Sequence, residues 1–114
     1  MAAQVAPAER GATRIADRVV AKIAAYAARE ALDRIPEDGA APSATVAVRH
    51  DSARVRISLE LEYPTDIGAQ CGAVRRQVSQ RVRELAGMEV PEVAVQVERL
   101  HSAHTRGTDR ERIR

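Results

Sequence analysis

The chain has 114 residues, 45% of them hydrophobic and 30% charged, with no Phe, no Trp and a formal net charge of +2. That length holds one small domain, and the balance excludes fibrous and wholly disordered classes. The body up to Leu100 is charge-balanced and the surplus comes from Arg106, Arg110, Arg112 and Arg114 against Asp109 and Glu111, so no large positive field marks the body as a polyanion binder.

Residues 1–11, Ala-rich with Pro7 and Gly11, read as a flexible lead, and a single domain is expected over residues 12–100. From Thr13 the pattern turns helical: Ala16, Val20, Ile23, Ala27 and Ala31 recur at spacings of three and four, with Val19 and Leu32 alongside. Thr13 is the expected N-cap, and Pro36, which has no amide proton, is expected to stop the helix near Ile35. Residues 36–43 are a loop by composition. Ala44, Val46 and Val48 then alternate with Thr45, Ala47 and Arg49 as a short strand, and His50, Asp51 and Ser52 form a hairpin connection. The clearest signal follows. Ala53, Val55, Ile57, Leu59, Leu61 and Tyr63 share one face, and Arg54, Arg56, Ser58, Glu60 and Glu62 share the other, as in a half-buried strand.

Pro64, Thr65 and Asp66 end that strand and open a second helix. Its apolar stripe is Ile67, Cys71, Val74, Val78, Val82 and Leu85; Arg75, Arg76, Gln80, Arg83 and Glu84 lie opposite, and Gly87 is placed for a left-handed stop. After Pro91, Val93, Val95 and Val97 mark a third strand, and residues 101–114 read as a disordered, weakly basic tail. The order helix-strand-strand-helix-strand predicts an α+β fold: a three-stranded mixed sheet, hairpin plus right-handed parallel crossover, with both helices on one face. The other face is left polar and uncovered, and the sheet edges free. A core of Val, Ile, Leu and Ala buries little area per residue, which makes self-association an expected source of stability.

No catalytic, cofactor or metal site is expected. Cys71, the single cysteine, falls on the buried stripe and allows neither an internal disulfide nor a Cys cluster. His101 and His104 are three apart but lie in the expected tail without a carboxylate or thiol ligand, and His50 beside Asp51 reads as a solvated turn. No apolar run has signal-peptide or membrane-spanning length, so a cytoplasmic location is expected. The candidate interaction surface is Arg54, Arg56, Glu60 and Glu62 on the outward strand face, with Arg75, Arg76 and Arg83 on the second helix. The same arginines support an alternative reading, a small KH-like nucleic-acid-binding domain. That reading is short of stacking aromatics, since Tyr26 and Tyr63 are the only ones, and lacks a Gly-x-x-Gly clamp.

The stretch from Gly11 through Ile15-Ala16, Val20, Ile23-Ala24 and Tyr26-Ala27-Ala28 to Glu30 resembles the opening helix of the bacterial alkaline shock protein family, also called envelope stress response proteins. Val82-Arg83-Glu84-Leu85-Ala86-Gly87 and the Val-alternating segment through Glu98 resemble its closing helix, turn and strand. The resemblance covers roughly residues 11–100. Three departures imply a divergent, actinobacterial member: the long 35–43 loop in place of a short Gly-Val turn, Tyr63-Pro64 where Tyr-Gly is usual, and Ala86-Gly87 where Thr-Gly is usual. The resemblance implies a non-enzymatic adaptor or scaffold. It would form homo-oligomers and sit at the inner face of the cell membrane through a membrane-anchored protein partner.

Overall fold

A computed structural model describes residues 15–102; the expected lead, the Thr13 cap and residues 103–114 lie outside the described residues. The order is α1 (Asp17–Ala31), β1 (Ser43–Arg49), β2 (Ser52–Tyr63), α2 (Ile67–Ala86) and β3 (Glu89–Ser102). The sheet order is β1-β2-β3, with β1 antiparallel and β3 parallel to β2, so the chain has the expected α+β fold.

Alternation on β2 places the core. Ala53, Val55, Ile57, Leu59 and Leu61 are buried, and their partners on the flanking strands face the same way: Ala44 and Val95 beside Ile57, Val46 and Val93 beside Val55. Val20, Ala24, Ala27 and Ala28 of α1 and Val74, Val78 and Val82 of α2 close over this face, and among the described residues no polar or charged side chain is buried with them. Three alanines on α1 give that helix a smooth face on which α2 packs closely. Asp66 caps α2 by accepting from the Ala69 amide at 3.0 Å. Gly87 ends α2 at φ 68°, a conformation that glycine adopts without steric strain.

Several expectations are corrected. α1 begins after Ala16, which makes no side-chain cap bond, and ends at Ala31 rather than near Ile35. The reason for the early stop is Pro36. A proline ring collides with the carbonyl four residues back, here that of Leu32, and Leu32 is already extended at φ −84°, ψ 141°. The buried stripe of α1 is rotated toward Ala24 and Ala28, leaving Ala16 and Val19 exposed. Tyr63, Ile67 and Leu85 are exposed rather than core, since each stands at the end of its element. β3 begins before Pro91 and continues through His101 and Ser102, two residues past the expected domain boundary. Pro91 is accommodated at a register shift between Ser52 and Arg54, where its missing amide proton breaks no ladder bond.

Candidate functional site

The residues expected to form one interaction surface divide among three places. Arg54 and Arg56 stand exposed on the outer face of β2, over a shallow trough of about 250 Å³ lined also by Thr45, Ala47, Glu92 and Ala94. The small side chains of β1 and β3 form the floor, and Glu92 comes within 3.9 Å of Arg54. Such an exposed pair adds little to stability.

Glu60 belongs to a different arrangement, and the outer face is not open along its whole length. The 32–42 connection, expected as a plain loop, closes over the far end of the sheet with Pro36 and Pro42 buried. There His101 Nε2 donates to Glu60 Oε1 at 2.7 Å and the Ala40 amide donates to the same oxygen at 3.1 Å. The two side chains are only 10% and 16% exposed. The hydrogen bond from His101 and then that from Ala40 hold the Glu60 carboxyl below its ordinary value, with smaller help from the charge of Arg99. The fit requires Gly39: a Cβ there would lie 2.9 Å from Glu60 Oε1, 3.0 Å from His101 Nε2 and 3.0 Å from Pro36 Cβ. Glu60 is therefore a clasp between loop and sheet, not a free contact group. Glu62, opposite His101 in the register, is partly buried beside it.

Arg75, Arg76 and Arg83 stand on α2 above the outer edge of β3, where they line a groove of about 680 Å³ with Ser79, Val90 and Val93. All three are exposed and form no ion pair among the described residues. Glu84 of the same wall is engaged by Arg81 at 3.8 Å and Gln80 at 3.1 Å, so the groove is electropositive.

A third surface was not expected from the sequence. α1 and α2 run antiparallel, tied by Gln77 Nε2 donating to Glu30 Oε1 at 3.0 Å, Arg81 to Glu30 at 3.4 Å and Gln70 Nε2 to Asp33 Oδ2 at 3.2 Å. Past these ties the seam opens into an apolar cleft of about 310 Å³. Its walls include Val19, Tyr26 and Leu85, which are 45%, 64% and 61% exposed.

Cys71 is buried, and burial pushes its thiol up despite the nearby Arg75, which keeps it a protonated packing group. His50 is exposed in the hairpin turn at φ 55°, and the Asp51 carbonyl accepts from the Glu89 amide at 2.8 Å, joining the turn to β3. No helix among the described residues is long and apolar enough to cross a membrane. Among the described residues no group of three or more His, Cys, Asp or Glu side chains is placed to hold a metal ion. Comparison with protein-family models, with curated proteins and with solved structures finds no match.

Proposed function

We propose that this chain is a contact module: an envelope-stress adaptor or scaffold of the alkaline shock type, which associates with itself and with a membrane-anchored partner at the inner face of a bacterial membrane. The observation that carries the contact reading is the cleft between α1 and α2. A chain this poor in large apolar side chains leaves Val19, Tyr26 and Leu85 grouped in solvent within a rim of Lys22, Glu30 and Arg81. An aromatic anchor within an apolar patch and a charged rim is the anatomy of a protein interface. The family-like residues lend support, since Val82–Gly87 form the end and cap of α2 and Val93, Val95 and Val97 the core side of β3.

The test is sedimentation of the purified protein beside Tyr26→Ser with Leu85→Ser, together with recovery of each from the membrane fraction of the source cells. The wild type is expected to associate, and the double variant to lose association or membrane recovery while melting at the wild-type temperature. A monomeric wild type absent from the membrane fraction would overturn the reading. The KH-like alternative draws on the arginine groove, but neither Tyr26 nor Tyr63 lines it, so a nucleobase would find no stacking partner there.

A further inference from the structure

Deepening the contact reading, on which the inference rests, we propose that the groove between α2 and the free edge of β3 binds an extended acidic segment of a partner protein, added to the sheet as a fourth strand. Among the described residues β3 pairs with β2 on one side only, so its other side presents backbone donors and acceptors that no described strand pairs. The usable stretch has natural limits. Pro91 has no amide proton to offer, and Glu98 is an extra residue at the shift where Val97 pairs with Leu59 but Arg99 with Glu60. Glu92 to Val97 lie between them, about 20 Å of strand.

The side chains above that edge specify the occupant. An added strand turns alternate residues toward α2, where Arg75, Arg76 and Arg83 stand without ion partners among the described residues. From Arg75 to Arg83 the helix rises about 12 Å. Four residues of strand cover about 13 Å and return to the same face. The geometry therefore selects acidic residues at i and i+4, with an uncharged residue at i+2 beneath Ser79 and beside Val93. Arginine supplies planar, bidentate recognition of each carboxylate.

Other occupants fit less well. A second copy paired edge to edge through β3 would bring its own Arg75, Arg76 and Arg83 against the same row across a two-fold axis, like charge on like. Its inward residues would be Val93, Val95 and Val97, which offer nothing to an arginine. The chain's own last residues are net basic, the same sign as the groove.

The probe is a nine-residue capped peptide with Glu at i and i+4, Val at i+2 and Thr elsewhere, titrated into the full chain and followed by amide chemical shifts and calorimetry. Shifts are expected at Glu92 to Val97. Replacing both Glu by Gln, or using Arg75→Glu with Arg83→Glu, should weaken binding at least about tenfold at an unchanged melting temperature. N-methylation of every second peptide residue separates strand addition from loose charge attraction. One phase should abolish binding and the other preserve it, because an added strand pairs through one edge only. Equal effects of the two phases, or binding indifferent to the arginines, would refute the proposal. So would a single-stranded oligouridylate that binds in an arginine-dependent way where the peptide fails, or a sedimentation shift showing that the arginine variant has lost self-association. Failure of the peptide while wild-type association and membrane recovery persist overturns this groove alone and leaves the contact reading standing.

Discussion

Substituting neighbouring residues of β2 tests the assignment of its faces. Ile57 is fully buried, at 0% exposure, between Ala44 of β1 and Val95 of β3 and beneath the helices. Arg56, one residue earlier, lies between Thr45 and Ala94 on the exposed side. Removing one methyl by Ile57→Val should cost about 1 kcal/mol, and truncation to Ala about 2–5 kcal/mol. Ile57→Asp adds a carboxylate to a core in which no other polar side chain is buried among the described residues, a further few kcal/mol. A domain of this size has a total stability of roughly 5–10 kcal/mol, so Ile57→Asp should abolish cooperative folding. Arg56→Asp should stay within about 0.5 kcal/mol of the wild type, a shift of a few degrees in melting temperature. Circular dichroism with calorimetry reads both. A cooperative transition for Ile57→Asp near the wild-type temperature, or equal losses in the two Asp variants, would show that the faces are wrongly assigned.

Asp66→Ala removes the cap on α2 and should lower the melting temperature by about 4–8 °C, the equivalent of about 1 kcal/mol, in a thermal scan at neutral pH. Gly39→Ala should destabilise by several degrees, since its Cβ would meet the fixed Pro36 ring as well as Glu60 and His101; a melt at the wild-type temperature would show that the loop yields freely. The Glu60 carboxyl has its folded pKa below the ordinary 4.5, so its stabilising contribution is complete above that pH and is lost as pH falls beneath it. Glu60→Gln should therefore lose less stability than the wild type between about pH 5 and pH 3 in urea titrations, and parallel curves would remove the clasp as an acid-sensitive contact.

The legibility of each element followed how uniquely its residues choose a face. β2 was readable because β-branched and leucine residues alternate with charges, which leaves one solution, and α2 because its valines alternate with arginines and glutamines. α1 was less so. Alanine is small enough to be buried or exposed, so Ala24 and Ala28 carried no sign that they, rather than Ala16 and Val19, face the core. Leu85 fits the apolar period of α2, but periodicity does not report the partner's length. Leu85 faces Val19 and Tyr26 of α1 across the cleft, where the two helices stand too far apart to bury it. The Glu60 clasp was beyond the sequence for a different reason. It depends on a register shift in β3 and on the 32–42 connection folding back, both long-range outcomes of packing. The one available signal was Gly39 between two prolines, a loop too rich in buried-turn residues to be merely a spacer.

The same compositional poverty that thins the core shapes the outside. Without Phe or Trp, a single helical layer of Ala and Val closes one face of three strands and reaches no further. What remains uncovered lies in three directions: the α1–α2 cleft on top, the arginine groove along the β3 edge, and the Arg54–Arg56 trough beneath. They share no lining residue, for the cleft is built from α1 and α2, the groove from the opposite side of α2 with β3, and the trough from the strands alone. On the proposed contact reading this separation matters more than the strength of any one surface. A protomer that engaged a copy through the cleft would keep the groove accessible to an acidic strand, so assembly and partner capture would not compete. The two activities should then vary independently: Tyr26→Ser with Leu85→Ser should leave peptide binding at the groove unchanged, and Arg75→Glu with Arg83→Glu should leave sedimentation unchanged. A variant pair that loses both together would show one interface, not two, and would return the arginines to the self-association surface.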